Sequence, residues 1–246
     1  DATNKISYGS RRRFLRGRQL DSVMNYPFAN AVTDYVKDGS AERLLNTVLN
    51  ILENYPPQAV KLLMNHIGTH DTARAITVLG ANDGYVGDRK WQSERVLSAE
   101  EYNRGVGLLK LAAVLQFTLP GVPSIYYGDE AGLTGYGDPF CRAAYPWGRE
   151  NTELLSFYRA LGALRRSSPA FASGEFVPIR AESGVFAFLR KKGGSTAFIA
   201  VNSGDGTAVT DLPQGLEDIK TSFGEKPQGG KLTLSPKTYA VFTAES

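Results

Sequence analysis

The feature that most constrains the fold of this chain is a change of pattern along its length. Between residues 20 and 168, short apolar runs typical of strands alternate with longer stretches of helical periodicity. From about residue 173 to residue 246, only short β-rich runs remain, separated by Gly, Pro, Asn and Asp. Strand–helix alternation predicts a parallel sheet, whereas short strands joined by turns predict an antiparallel sandwich. We therefore predict two parts, residues 1–170 and residues 171–246.

The first part is predicted to contain three strand–helix units. Helices are expected at Ala41–Asn54 with Ser40 as N-cap, at Ser98–Leu119 behind a capping box, and from Thr152 to just before Pro169. Since a complete (β/α)₈ barrel takes about 250 residues, three units indicate either a small open α/β sheet or the last part of a barrel. The expected strands of this part are Leu20–Tyr26, Val60–Asn65 and Val122–Tyr127. Those of the second part are Val185–Leu189, Thr196–Val201, Lys231–Leu234, Tyr239–Phe242 and a run around Phe176.

Composition excludes several classes of protein. The chain has 246 residues, 42% of them hydrophobic, and a net charge of +3, which is too weak to indicate nucleic-acid binding. The basic run Arg11–Arg13 with Arg16 and Arg18 predicts a solvated loop or helix face. A single cysteine excludes a disulfide framework, and no apolar run approaches the roughly 20 residues of a membrane span. Because its first residues form neither a signal peptide nor an initiator sequence, we expect a segment of a longer protein, with no compartment assigned.

The loop that follows the second expected strand contains both histidines of the chain, His66 and His70. His70 and Asp71 place a hydrogen-bond donor beside a carboxylate. Such a pair can hydrogen-bond vicinal hydroxyls or stabilise a developing positive charge. The structural alternative is that Asp71 or Thr72 caps the next helix. A zinc site at His66, His70 and Asp71 is disfavoured, because Gly68 argues against a helix and no third histidine exists.

The long, Gly-rich loop after the third expected strand contains a second candidate set. Asp138 and Arg142 can brace each other and hydrogen-bond several hydroxyls of one sugar. Aromatic rings suit the C–H faces of sugars, and several occur on the same expected face. The alternatives are a structural salt bridge that closes the loop and aromatic rings that belong to the core. The aromatic residues are Tyr26, Phe28, Tyr126, Tyr127, Tyr136, Tyr145 and Trp147.

These motifs resemble those of a known family. The segment Asn65–Arg74, NHIGTHDTAR, resembles the fourth signature region of the α-amylase family of glycoside hydrolases. Leu119–Glu130 is similar to the eighth barrel strand of that family, and Leu20–Phe28 to the sixth. Asp138–Arg142 followed by Pro146-Trp147 resembles the substrate loop of the neopullulanase and cyclomaltodextrinase branch.

The resemblance covers essentially the whole chain and implies a fold. Residues 1–170 would be the C-terminal portion of a TIM (β/α)₈ barrel, strands six to eight with their helices. Residues 171–246 would be the small antiparallel β-sandwich called domain C. Three strands without their partners expose a sheet edge, so we expect the chain to associate with the missing N-terminal part of the barrel or with itself.

The resemblance also implies residue roles. Asp71 would stabilise the oxocarbenium-like transition state without attacking the sugar, and His70 would hydrogen-bond the same sugar. Asp138 and Arg142 would hold the neighbouring glucose on the non-reducing side. The further substrate-binding candidates are Arg74, Tyr136 and Trp147. No metal or cofactor is expected within this chain, although members of the family bind calcium through upstream segments.

Two carboxylates that the reaction needs are not expected here. A retaining glycosidase uses a nucleophile and an acid/base about 5–5.5 Å apart, which in this family follow strands four and five. Asp1–Tyr8 resembles the loop after the acid-bearing segment, and Asp21, Asp129 and Glu130 match neither role. We therefore expect the parent enzyme to hydrolyse α-glucosidic bonds of maltodextrin, cyclodextrin or pullulan, and this chain alone to be inactive.

Two other functions compete with this hypothesis. The first is a non-catalytic glycan-binding module that uses Asp71, His70 and the aromatic rings for recognition alone. The second is a small open α/β hydrolase. The second is weak, because no Gly-x-Ser-x-Gly nucleophile elbow is present.

Overall fold

The computed structural model describes residues 6–7, 10–11, 15, 18–83, 88–214, 216 and 219–245. The segment Asp1–Tyr8 and the basic run that starts at Arg11 lie largely outside these residues. The helices are α1 (Tyr26–Asp38), α2 (Ala41–Asn54), α3 (Pro57–Leu62), α4 (Ala75–Gly80), α5 (Arg89–Glu94), α6 (Ala99–Thr118), α7 (Thr152–Ser167) and α8 (Pro169–Ser173). The strands are β1 (Ile6–Ser7), β2 (Ser10–Arg11), β3 (Met64–Asn65), β4 (Val122–Pro123), β5 (Glu175–Glu182), β6 (Val185–Lys192), β7 (Ser195–Asn202), β8 (Ala208–Asp211), β9 (Ile219–Gly224), β10 (Lys231–Leu234) and β11 (Thr238–Glu245).

The long helices agree with the sequence. Helix α2 has the predicted bounds, although the Ser40 side chain makes no capping bond. Helix α6 carries the predicted capping box, in which Ser98 and Glu101 bond each other's backbone. Helix α7 begins at Thr152, but Asn151 rather than Thr152 is its cap, because the Asn151 side chain accepts from the N–H of Leu154. Strong periodicity over many residues is what made these helices predictable.

The short strands of the first part were predicted less well. Met24 is the residue of Leu20–Tyr26 that forms a bridge, with Met64 in parallel. Pro27 does not stop a strand; it lies in the first turn of α1, where proline is favoured. The first half of the strand expected at Val60–Asn65 belongs to helix α3, and its last two residues form β3. Only β4 forms within Val122–Tyr127. Short apolar runs are ambiguous between helix and strand.

Parallel pairing orders the three segments that carry the candidate site. β3 and β4 pair with Met64 opposite Val122, and Asn25 donates its N–H to the carbonyl of Met64 at 3.0 Å. A buried side-chain network fixes this register. The Asn25 amide donates to Asn65 at 2.9 Å, and the Gln116 amide donates to the carbonyls of Asn65 and Ser124 at 2.9 and 3.0 Å. The loops after these segments therefore leave from the same edge.

The second part is an antiparallel structure of two sheets. A five-stranded sheet has the order β5-β6-β7-β11-β9, and β8 pairs with β10. All the strands expected from period-two alternation are present, whereas β8 and β9 were not predicted. One core cluster lies between the sheets and includes Phe198 and Phe242. The other face of the large sheet joins the helices in a single core, to which Phe186 and Phe188 contribute.

The two parts are joined by buried polar contacts as well. The Tyr35 hydroxyl of α1 donates to the carbonyl of Val201 at 2.7 Å. The buried Arg190 guanidinium of β6 donates to the carbonyl of Thr118 in α6. The predicted boundary between residues 170 and 171 falls inside α8. Within the described residues, no helix combines the length and the apolar composition that a membrane span requires.

Candidate active site

Two loops bring distant residues together beyond the carboxyl ends of β3 and β4. His70 and Asp71 follow β3, and Asp138 and Arg142 follow β4; we call these four residues the Asp71 cluster. The Arg142 Nε lies 2.7 Å from Asp138 Oδ1 and donates to the His70 carbonyl at 3.2 Å. The His70 Nε2 lies 3.2 Å from Asp71 Oδ1, and the Arg142 Nη2 lies 3.9 Å from the same oxygen. The cluster thus unites residues that are about seventy positions apart.

All four side chains of the Asp71 cluster remain accessible. Their exposed fractions are 57% for His70, 59% for Asp71, 52% for Asp138 and 46% for Arg142. Two carboxylates, a guanidinium and an imidazole supply several hydrogen-bond donors and acceptors at one surface. Because these groups are hydrated, a ligand's hydroxyls can replace their water without a large desolvation cost. The arrangement suits a polyhydroxylated ligand.

The structure excludes the capping alternative for His70 and Asp71. Helix α4 begins at Ala75 with Arg74 at the N-cap position and no side-chain cap bond. The Thr72 hydroxyl accepts instead from the N–H of Thr69 at 3.1 Å, and the Thr69 hydroxyl accepts from the N–H of Asp71 at 3.2 Å. These local bonds shape the loop and leave the Asp71 carboxylate accessible.

Arg74 is not at the surface, so the expectation that it contacts substrate does not fit its position. Its side chain is fully buried and lies 3.3 Å from Asp129 Oδ1. Its guanidinium also donates to the Tyr127 carbonyl and lies over the Tyr126 ring at 4.2 Å and the Tyr127 ring at 4.6 Å. Burial raises the pKa of Asp129 to about 7, and the guanidinium of Arg74 opposes that shift. Arg74 therefore stabilises the loop after β4 from its buried side.

Gly68 packs against this buried pair, a contact that the sequence did not reveal. A Cβ atom at position 68 would lie 2.5 Å from Asp129 Oδ2. The position therefore requires glycine for close approach, two residues before His70. The fixed carboxylate of Asp129 holds the loop after β3 against the loop after β4.

Among the described residues, Tyr136 and Trp147 make no hydrogen bond or ring contact with the Asp71 cluster, although Tyr136 lines a cavity of about 380 Å³ together with Arg142. The Tyr136 hydroxyl donates to Asp83 at 2.6 Å, and its ring lies edge-on to Trp91 at 5.0 Å. Trp147 is 81% exposed and lies 4.5 Å from the Tyr145 ring. Neither ring is joined to the cluster by a contact among the described residues, so their substrate-binding role stays a prediction.

The two histidines of the zinc alternative lie in different environments. His66 is buried, with its ring 4.6 Å from the ring of Tyr26, whereas His70 is exposed beside Asp71. Within the described ranges, no group of three or more His, Cys, Asp or Glu side chains could hold a metal ion.

Comparison with known proteins identifies the class to which this fold and site belong. The family model of the α-amylase catalytic domain matches residues 5–144, more than half of the chain. The chain therefore belongs to the α-amylase family. Relatives named cyclomaltodextrinase, amylopullulanase, neopullulanase and maltogenic amylase place it in the neopullulanase and cyclomaltodextrinase branch of that family.

Three relatives illustrate this placement. The amylopullulanase of Thermoanaerobacter thermohydrosulfuricus is 36% identical over 251 residues, covering 92% of this chain and 16% of the relative. The cyclomaltodextrinase of Thermoanaerobacter pseudethanolicus is 35% identical, covering 92% of this chain and 36% of the relative. A cyclic α-maltosyl-(1→6)-maltose hydrolase from Arthrobacter globiformis, solved in complex with that sugar, matches with a TM-score of 0.74 at 26% identity, covering 94% of this chain and 46% of that chain. The chain thus spans less than half the length of each.

Proposed function

We propose that this chain is part of a retaining α-glucan hydrolase that acts on α-glucosidic bonds of maltodextrin, cyclodextrin or pullulan-type substrates. The observation that carries the proposal is the convergence of Asp71, His70, Asp138 and Arg142 in one accessible cluster beyond two adjacent parallel strands. In parallel α/β structures, reactive groups collect at this edge.

The geometry supports different roles for the members of the Asp71 cluster. The Asp71 carboxylate has one weak cationic neighbour at 3.9 Å, so it keeps capacity to stabilise the positive charge that develops at the anomeric carbon. The closer Asp138–Arg142 pair at 2.7 Å is prearranged to bind hydroxyls of the adjacent sugar. His70 supplies a further hydrogen bond beside Asp71.

We propose that the nucleophile and the acid/base come from residues outside this chain. Among the described residues, Asp129 is buried against Arg74, and Glu130 accepts from the N–H of Gly128 at 2.8 Å. Asp129 is therefore enclosed by its buried partner, and Glu130 bonds the backbone of its own loop. The chain alone is therefore expected to be inactive.

The same proposal extends to the fold. Residues 1–170 would supply strands six to eight of a (β/α)₈ barrel, and residues 171–246 would form domain C. The parallel order of Met24, Met64 and Val122 supports this assignment, as does the exposure of Met64 and Val122, both 41%. Upstream strands or a second copy would cover those side chains. A monodisperse, sharply melting monomer in analytical ultracentrifugation and calorimetry would contradict this part of the proposal.

Turnover by the whole protein that contains this chain tests the activity. Release of reducing sugar from cyclodextrin, maltotriose and pullulan should be measured for the wild type, for Asp71→Asn and for Asp21→Asn. Loss of a transition-state stabiliser lowers kcat by about 10²–10³-fold, so Asp71→Asn should do so while the exposed Asp21→Asn retains activity. Unchanged kcat in Asp71→Asn would refute the assigned role. Binding of maltotriose without any turnover would favour a glycan-binding module instead.

A further inference from the structure

The loop after β4 is anchored to another part of the chain just before it reaches Asp138. The N–H of Gly135 donates to the Thr77 hydroxyl, and the Gly135 carbonyl accepts from the N–H of Arg74, both at 2.9 Å. Thr77 lies in helix α4, and Arg74 directly precedes that helix. These two bonds hold the backbone of residue 135 against the start of α4.

The next residue, Tyr136, adds a side-chain anchor at Asp83. The Tyr136 hydroxyl donates to Asp83 Oδ2 at 2.6 Å, and its ring lies edge-on to Trp91 at 5.0 Å. The other carboxylate oxygen, Asp83 Oδ1, accepts from the Arg95 guanidinium at 3.0 Å. The Tyr136 hydroxyl and the Arg95 guanidinium hold the pKa of Asp83 below its usual range. Asp83 is therefore ionised at neutral pH and accepts both hydrogen bonds.

Arg95 connects Asp83 to the start of helix α6. Its Nη2 atom also donates to both carboxylate oxygens of Glu101, at 2.7 and 2.8 Å. Glu101 belongs to the capping box of α6 and accepts in addition from the N–H of Asn82 at 3.0 Å. Since Asn82 directly precedes Asp83, two routes join Asp83 to α6. A network whose charged members are all hydrogen-bonded is rigid, so Asp83 offers Tyr136 a fixed partner.

Backbone bonds extend this anchoring from Tyr136 to the proposed sugar-binding pair. The N–H groups of residues 140 and 142 donate to the carbonyls of residues 137 and 139, at 2.9 and 3.0 Å. These overlapping turns make residues 137–142 a compact unit that directly follows Tyr136. A displacement of Tyr136 should therefore move Asp138 and Arg142 together.

We propose that Asp83 is a positioning residue, which holds Asp138 and Arg142 in their binding geometry through the hydroxyl of Tyr136. This role rests on the proposed function, in which that pair binds the sugar adjacent to Asp71. Loss of the anchor weakens sugar binding by the pair and leaves the Asp71 carboxylate in place, because Asp71 lies on the loop after β3. Such a loss raises KM more than it lowers kcat.

Kinetics of the whole protein that contains this chain test the anchor. Tyr136→Phe removes the hydroxyl and keeps the ring beside Trp91. We expect it to raise KM for maltotriose about tenfold while kcat falls less than about threefold. A loss of stability alone would reduce the amount of active enzyme, and thus the apparent kcat, and leave KM unchanged. The control is Tyr102→Phe, which removes a hydroxyl bonded to Asn151 at 3.1 Å, outside residues 135–142, and should alter neither constant.

Asp83→Ala separates positioning from a direct contact of the Tyr136 hydroxyl with sugar. In this variant Arg95 keeps both of its bonds to Glu101, so the guanidinium retains a counter-charge. We expect the same rise in KM as in Tyr136→Phe, and no further rise in the double variant, because both changes break one hydrogen bond. A wild-type KM in Asp83→Ala, or additive effects in the double variant, would overturn the positioning role.

The same measurements distinguish this inference from the proposed function. An active wild-type protein whose KM is unaltered by Tyr136→Phe would refute the positioning role and leave the proposed function intact. A wild-type protein that neither binds nor hydrolyses maltotriose, cyclodextrin or pullulan would refute the proposed function, and with it the role of Asp83.

Discussion

Two arginine–aspartate pairs lie in or beneath the candidate active site, and they differ mainly in how exposed their side chains are. Arg142–Asp138 is the shorter pair at 2.7 Å, yet both side chains are about half exposed. Arg74–Asp129 is longer at 3.3 Å, with side chains that are 0% and 4% exposed. A hydrated pair contributes little to stability but can exchange its water for a ligand. A buried pair is costly to break and cannot reach a ligand. Burial rather than distance therefore decides whether a pair can bind a ligand or only stabilises the loop.

The largest expected effect comes from breaking the buried pair. Arg74→Leu leaves Asp129 without its counter-charge and the Tyr127 carbonyl without a donor, so we expect a loss of about 3–5 kcal/mol in the free energy of unfolding. Urea denaturation measures this. Without the guanidinium, the pKa of Asp129 should rise further above its present value of about 7. The variant should therefore lose additional stability as pH rises above 7, because its native state then holds the proton more tightly than the unfolded state.

The exposed pair provides the matched control. Arg142→Leu should change the free energy of unfolding by less than about 1 kcal/mol. Equal losses in the two variants would show that the distinction between a binding pair and a supporting pair is wrong.

The contact between the loop after β3 and the buried Arg74–Asp129 pair can be tested at Gly68. In Gly68→Ala, the new Cβ would clash with Asp129 Oδ2 at 2.5 Å, which should cost about 1–3 kcal/mol and displace the loop that bears His70 and Asp71. Gly107→Ala is the control, since a Cβ there meets nothing within 4 Å on helix α6. It should stabilise the chain by up to about 1 kcal/mol. Calorimetry of both variants measures the difference, and a neutral Gly68→Ala would disprove the close approach.

Buried His66 extends the comparison to pH. The native pKa of His66 is depressed from 6.5 to about 4, so the unfolded state binds the proton more readily in this interval. His66 therefore contributes stability above pH 6.5 that is lost as pH falls towards 4, by up to about 3 kcal/mol. His66→Gln should flatten this part of the pH–stability curve measured by urea denaturation. An unchanged slope in His66→Gln would contradict the assignment.

The smallest effect on stability is expected for Arg142→Lys. The Arg142 Nε contacts both Asp138 and the His70 carbonyl, and an ammonium cannot reproduce the planar geometry of the guanidinium. Maltose affinity at the cluster should fall about tenfold, equivalent to about 1.4 kcal/mol, while the free energy of unfolding changes by less than about 0.5 kcal/mol. Isothermal calorimetry and urea denaturation measure the two quantities. Arg166→Lys on the exposed side of α7 should change neither, and unaltered affinity in Arg142→Lys would remove Arg142 from the binding site.

Local signals made some of this structure predictable. The bounds of α2 and the capping box of α6 follow from periodicity and from side chains three residues apart, because such interactions depend on nearby residues alone. The family resemblance also implied that Asp71 and Arg142 would bind neighbouring sugars. The first half of the strand expected at Val60–Asn65 is the end of α3, since a short, mostly apolar run does not distinguish helix from strand.

By itself, the sequence determined the α-amylase motifs, the division between a strand–helix part and a β-rich part, and the group of residues from which the site is built. Only the tertiary structure decided which members of that group remain in water. Arg74 and Arg142 are each the last residue of a motif segment, yet packing by Tyr126 and Tyr127 encloses the first and leaves the second exposed. The reason is physical: burial depends on the summed contacts of segments far apart in the chain, which no local pattern encodes.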